Sequence, residues 1–187
     1  SFPTYIPTSR SACTLEFEMP TTTKEQLLEI AFDMFLAHGY DGVGISEVIK
    51  RAGVSKGALY HHFTSKDDLI AQILQRYFLD GFARMDFEAL AQQPAHLQLG
   101  QLVHGYQNLF GPTAALRKYG LARYLALFFD SLSRNEQFAA AVARYYRQIE
   151  AALHPDAQPY LRQIEGEIYL STVLQRDPDF SFIPATL

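Results

Sequence analysis

One cysteine, Cys13, occurs in 187 residues, so no intrachain disulfide can form and a cysteine-based zinc cluster is excluded. Apolar residues make up 48% of the chain. Even so, no apolar run approaches the roughly 20 residues that span a bilayer, and no stretch joins a charged start to an apolar core as a signal peptide does. No membrane partner is expected, and the cytoplasm is the expected compartment. There is no basic excess either: 16 Lys and Arg against 20 Asp and Glu leave a formal charge of −4, which argues against indiscriminate coating of nucleic acid. No segment alternates with the period of two that a half-buried strand requires, and no internal repeat is evident. A phosphate-binding glycine loop, a metal-ligand cluster and a nucleophile spaced with a base are all missing. Hence no cofactor, metal or catalytic residue is expected. What remains is an all-α chain with enough apolar content to bury a core.

The most informative stretch is residues 45–63, ISEVIKRAGVSKGALYHHF, which reads as two short helices joined at a glycine. Ser46 is expected to cap the first, and Gly53, able to take left-handed angles, to stop it. Ser55 is positioned to cap the second, which carries Lys56, Gly57, Ala58, Leu59, Tyr60, His61 and His62. Val48, Ile49, Ala52, Val54 and Leu59 form the apolar set that would hold the two helices at a fixed angle, as a helix-turn-helix requires. Between Glu47 and Asp67 there is no acidic residue, whereas Lys50, Arg51, Lys56 and Lys66 are basic, a local field that favours phosphate. Upstream, Leu28, Ala31, Phe32 and Phe35 fall at offsets of zero, three, four and seven, the stripe of an amphipathic helix ending at Gly39. Downstream, Ser65 and Asp68 have capping-box spacing before a long helix. His61 and His62 suggest a metal at first sight, but adjacent helical positions point about 100° apart and cannot share an ion without further ligands.

At residues 22–74 the chain resembles the DNA-binding domain of the TetR family of transcriptional regulators. The resemblance rests on His38-Gly39-Tyr40, Gly44-Ile45-Ser46, the run from Ala52 to Gly57, the run from Leu59 to Phe63, and Ser65-Lys66, in this order. It implies a homodimer that presents two recognition helices to successive major grooves of a double-stranded DNA operator. It also implies a C-terminal helical domain that pairs the subunits and binds a small-molecule effector. By the same resemblance, Ser55, Lys56, Gly57 and Ala58 lie nearest base edges and backbone, Tyr60, His61 and Lys66 meet phosphates, and Ser46 adds a phosphate contact. The competing readings are a solvated lysine at Lys56, a packing glycine at Gly57, and ordinary packing for Tyr60 and His61. Repression relieved by effector is the logic the family implies.

The expected domains are a disordered extension or expression remnant over residues 1–20, a helix-turn-helix domain over residues 21–66, and a helical effector-binding and dimerisation domain over residues 67–187. Met19 reads as a natural start. In the last domain the long helix is expected to kink near Gly81. Further helices are expected over residues 96–110, 116–132, 136–153 and 157–175, with residues 133–135 a junction. Phe138, Val142, Tyr145, Tyr146 and Ile149 mark one wide apolar face, and Leu161, Ile164, Ile168, Leu170 and Val173 another. The resemblance pairs these faces with a second subunit; the alternative is an intrachain core. After residue 175 the family often has one more helix, so a truncated end is an open reading. Candidate effector contacts are the polar or aromatic groups set in apolar helices: Phe82, His104, Tyr106, Asn108, Phe110, Arg123, Tyr124 and Phe128. The rivals are a helical small-molecule-binding protein or enzyme without DNA binding, and a dimerisation protein that has lost its DNA contacts.

Overall fold

The computed structural model describes residues 24–109 and 114–184; the extension expected over residues 1–20 lies outside the described residues. Every regular element among the described residues is helical. The order begins α1 (Lys24–His38), α2 (Ile45–Ala52), α3 (Lys56–His62) and α4 (Lys66–Leu74). A π-helical turn, Gln75–Leu79, leads from α4 into the short α5 (Asp80–Phe82). Then follow α6 (Phe87–Ala91), α7 (Ala95–Leu109), α8 (Ala114–Arg134), α9 (Glu136–Ala152) and α10 (Gln158–Leu174).

Local chemistry sets these limits. Gly39 stops α1 and Gly53 stops α2, both with positive φ, 71° and 67°, which glycine adopts without a Cβ penalty. Ser55 caps α3 by accepting from the Ala58 N–H at 3.1 Å, and Ser65 caps α4 by accepting from the Asp68 N–H at 3.0 Å. Asp68 reaches back to the Thr64 N–H at 2.7 Å. A bond from the Gln72 amide at 2.8 Å, with those from the Thr64 N–H and hydroxyl, holds the Asp68 carboxyl below its ordinary value. Asn135 caps α9 through the Phe138 N–H at 2.9 Å.

The expected cap at Ser46 is corrected: Gly44 is the N-cap of α2, in extended geometry, and the Glu47 carboxylate accepts from its N–H at 2.9 Å. Ser46 instead lies exposed in the first helical turn. The irregularity expected near Gly81 is the π-helical turn just before it, and the long helix stops at Phe82. The helix expected over residues 116–132 is broken at Gly120, whose φ of 76° and ψ of 167° no helix contains.

Two apolar cores hold the chain together. The first joins α1–α4 to α8 and α9: Phe35, Leu59, Phe63, Leu69 and Ile73 pack in one cluster with Tyr124, Leu127, Phe138 and Val142. The expected stripe of Leu28, Ala31, Phe32 and Phe35 is buried there throughout. The second core gathers Leu90, Leu99 and Leu102 with Ile149, Leu161, Ile164 and Ile168. At its end Gln98, 1% exposed, donates to the Leu90 and Ala152 carbonyls and accepts from the His154 N–H at 2.7 Å. A buried amide with its bonds met in this way terminates α9 without an orphaned polar group. Phe138, Val142 and Ile149 of α9 are therefore buried within the subunit, whereas Leu170 and Val173 of α10 are half or more exposed.

Candidate functional site

The α3 face is built by one buried residue. Leu59 and Phe63 are fully buried in the first core, which turns Lys56, Gly57, Ala58, Tyr60 and His61 outward, all exposed. Val48 of α2 is likewise fully buried, with Ile49, Ala52 and Val54 packed against the same core. A short helix anchored through one apolar residue presents its remaining sides to solvent. Ser55, exposed, keeps its Oγ on the Ala58 N–H. The Lys56 ammonium lies 5.8 Å from the Tyr60 ring centroid, so the cation and the phenol share one patch.

Gly57 has room for a side chain: a Cβ there would meet only the Ser55 Oγ, at 3.9 Å. Nothing inside the subunit requires glycine at this helical position, where glycine costs about 1 kcal/mol relative to alanine.

The four cations of this region are not equivalent. Arg51 pairs with Asp33 of α1 at 3.1 Å. Lys66 donates to the Tyr40 carbonyl at 2.6 Å and lies 4.1 Å from the centroid of the Tyr40 ring. Lys50 and Lys56 are exposed and form no ion pair among the described residues.

Sequence reasoning missed the node at Tyr40. Its ring stacks on Phe35, with Lys66 over it and the Arg134 guanidinium of α8 at 5.0 Å. Its hydroxyl donates to Asp67, and that bond, with burial, pushes the phenol up to about 12. Arg134 also binds Asp41 at 2.7 Å and Asp130 at 2.8 Å, and Lys118 of α8 reaches Asp33 at 3.1 Å. The turn after α1 is thereby tied to α8. The available signal was Tyr40 and Lys66 standing in one motif, but their 26-residue separation gave no local pattern to read.

Of the candidate effector contacts, Phe82, Tyr106 and Tyr124 line one cavity of about 420 Å³ between the π-helical turn, α7 and α8. Its volume falls within the range of about 300–1,000 Å³ usual for small-molecule sites. Tyr124 donates to the Tyr77 carbonyl at 3.2 Å, and burial raises its phenol. Tyr106 donates to Glu165 of α10, which also accepts from the Tyr146 hydroxyl at 2.8 Å. Burial raises the Glu165 carboxyl, against the opposing pull of those two bonds. The other candidates do not join them. His104 and Arg123 are exposed, and Arg123 faces a different hollow beside Phe35 and His38. Phe128 packs on Phe78 and Phe138 in the core. Asn108 is in the last turn of α7, and Phe110 lies outside the described residues.

A family model described as bacterial regulatory proteins, tetR family, matches residues 27–73, from α1 to the end of α4. The HTH-type transcriptional activator FasR of Mycolicibacterium smegmatis is 48% identical over 52 residues, 28% of this chain and 24% of that protein. The HTH-type transcriptional repressor KstR2 of the same organism is 36% identical over 61 residues, 33% of this chain and 29% of that protein. The matched part of the chain thus spans less than a third of each relative's length. A solved transcriptional regulator from Aquifex aeolicus VF5 superposes with a TM-score of 0.58 over 85% of this chain and 91% of that one, at 24% identity, which shows a shared fold. No helix among the described residues is long and apolar enough to cross a membrane.

Proposed function

We propose that this chain, whose residues 27–73 match the tetR family model, is a ligand-responsive transcriptional regulator of that family, acting as a repressor. The dimer binds a palindromic operator and a small molecule in the C-terminal helices releases it. The first turn of α3 enters the major groove, with Ser55, Lys56, Gly57 and Ala58 against base edges and backbone. Tyr60 and His61 donate to phosphates, Ser46 adds a contact from the start of α2, and Lys66 holds the Tyr40 turn in place. Residues 21–66 form the reading domain and residues 67–187 the sensing and pairing domain.

The observation that carries this reading is the solvent face of α3: five polar or small residues exposed around a fully buried Leu59. Pairing is supported by α10, where Tyr169, Leu170, Val173 and Leu174 are exposed at 61%, 50%, 58% and 62%. Four large apolar side chains on one helix end make a contiguous patch that water disfavours and a second copy would cover. Two subunits related by a dyad read half-sites whose centres are about 34–36 Å apart, or a multiple. Because binding linkage is reciprocal, an effector that prefers one separation of the reading heads weakens DNA binding by its differential affinity for the two states.

The test is fluorescence anisotropy of the full chain on duplexes tiled across the DNA flanking its gene. One palindromic duplex is expected to bind at least a hundredfold more tightly than the rest, and Tyr60→Ala to abolish the preference. Uniform weak binding to every duplex would refute the reading. A reporter carrying that duplex is expected to rise when the protein is deleted.

A further inference from the structure

The cavity between the π-helical turn and α7 carries its own chemistry. Six aromatic rings stand around it, those of Phe32, Tyr77, Phe82, Tyr106, Tyr124 and Tyr145. Walls of this kind take a flat π-body by stacking and edge contacts, which add to simple burial. Two arginines, Arg76 and Arg84, also line it, and both are exposed. Neither forms an ion pair among the described residues. The single carboxylate in the wall, Asp80, accepts from Gln75 at 2.9 Å. Counted over the lining residues, the balance is positive on a chain that is −4 overall; Glu29, which acts on Tyr77, and Glu165 lie outside the wall.

From these features we propose that the effector is an organic anion with a flat aromatic body and a carboxylate head. The body lies among the tyrosine and phenylalanine rings and the carboxylate meets Arg76 and Arg84. This rests on the reading of the chain as an effector-responsive regulator and gives that effector its chemical class. A guanidinium fork matches a carboxylate in shape as well as charge. The phenols do not oppose it: burial pushes Tyr145 up to about 12 and raises Tyr106 and Tyr124, so all three stay neutral at physiological pH. A ring of tyrosines can also hold an aromatic ammonium through cation–π attraction, but that ligand would enter past two like charges. Glu165 accepts from the Tyr106 and Tyr146 hydroxyls and is not part of the cavity wall.

The site also touches the reading domain directly, since Phe32 belongs to α1 and Tyr77 to the turn that continues α4. An occupant that presses on these two rings acts on both helices that carry α2 and α3.

Equilibrium dialysis of the full chain with 2-naphthoate, 2-naphthylmethanol, 2-naphthyl-trimethylammonium and hexanoate tests the class. 2-Naphthoate is expected to bind at least tenfold more tightly than each of the other three. The double variant Arg76→Gln, Arg84→Gln is expected to lose at least tenfold for 2-naphthoate and to change little for the alcohol. Gly105 lines the same cavity and a Cβ there meets nothing within 4 Å, so Gly105→Leu fills the space without a backbone clash and should abolish 2-naphthoate binding. The proposal is overturned if the alcohol or the ammonium binds as tightly as the acid, if the arginine variant binds it unchanged, or if none of the four binds. Anisotropy on the operator duplex separates the two claims. Arginine-dependent 2-naphthoate binding that leaves DNA affinity unmoved keeps the ligand class and rejects effector control.

Discussion

The rings of Phe32 and Tyr77 lie face to face, 3.9 Å between centroids and 7° from parallel. Phe32 is in the middle of α1, and Tyr77 is in the π-helical turn that leads out of α4. This stack joins α1 to the wall of the cavity proposed to take the effector. Its contribution is measurable by a double-mutant cycle with Phe32→Leu and Tyr77→Leu in urea denaturation. The expected coupling is about 0.5–1.5 kcal/mol, the usual range for an aromatic pair beyond its buried area. Tyr77→Leu is also expected to keep operator affinity within about threefold while losing most of the response to effector. Additive single variants would show that the stack contributes nothing to stability beyond its buried area.

Gly57 separates the needs of folding from those of binding. Its absent Cβ would meet only ordinary van der Waals contact inside the subunit, so Gly57→Ala should raise stability by up to about 1 kcal/mol through helix propensity. If the backbone at Gly57 approaches DNA closely, the same methyl should weaken operator binding at least tenfold. Thermal melting and anisotropy on one preparation read both signs. A variant that is more stable and binds equally well would remove DNA contact as the reason for glycine.

Lys56 and Lys66 should separate in a salt titration. Lys56 is exposed with no ion pair among the described residues, and Lys66 is held by the Tyr40 carbonyl and ring. Lys56→Met is expected to flatten the slope of log affinity against log salt by about 0.9, the value for one phosphate contact. Lys66→Met is expected to leave most of the slope but to cost about 1–2 kcal/mol of stability, since it removes a charged hydrogen bond and a cation–π contact. Equal slopes for the two variants would put both ammonium groups on phosphate.

Residues 24–74 were largely legible because their signals are local. The stripe of Leu28, Ala31, Phe32 and Phe35 follows the helical period, and the Ser65 and Asp68 cap lies within a single turn of helix. Ser46 misled because a hydroxyl is the usual N-cap, whereas here the Glu47 carboxylate serves the Gly44 N–H and makes a side-chain cap unnecessary. The π-helical turn at Gln75–Leu79 has no marker residue to find. Gly120 was visible, but a lone glycine inside an apolar helical pattern is tolerated as often as it breaks one. Tyr106 and Glu165 are 59 residues apart, and only tertiary packing brings them together. For the same reason only Phe82, Tyr106 and Tyr124 among the effector candidates meet at one cavity, and the others are scattered.

The exposed end of α10 predicts a subunit contact whose loss does not unfold the subunit. Val173 and Leu174 contribute nothing to either core, while Leu161, Ile164 and Ile168 of the same helix are buried. Val173→Asp with Leu174→Asp is expected to leave the melting profile of the isolated subunit intact and to raise the dimer dissociation constant at least a hundredfold in sedimentation equilibrium. Operator affinity should fall with it, because one reading head alone loses the second half-site. A dimer that persists unchanged would move the interface to another face.

Glu165 gives the pH dependence a sign that can be checked. Burial raises its carboxyl in the folded state, the Tyr106 and Tyr146 hydroxyls opposing, so between the ordinary carboxylate value and the raised one the native state holds a proton that the unfolded chain has released. Stability must therefore fall as pH rises through that window, at no more than about 1.4 kcal/mol per pH unit for a single proton, and level off above it. Asp68 and Glu167 work in the opposite sense, since hydrogen bonds lower both; their contribution is present at higher pH and is lost on acidification, below the Glu165 window. Glu165→Gln keeps an acceptor for the two tyrosines and removes the titration. In urea denaturation from pH 4 to pH 8, the wild type is expected to lose stability relative to Glu165→Gln as pH rises, with the gap constant once the carboxylate is fully ionised. A constant difference across the whole range would mean that Glu165 titrates as it does in the unfolded chain, and that the tyrosine pair compensates fully for its burial.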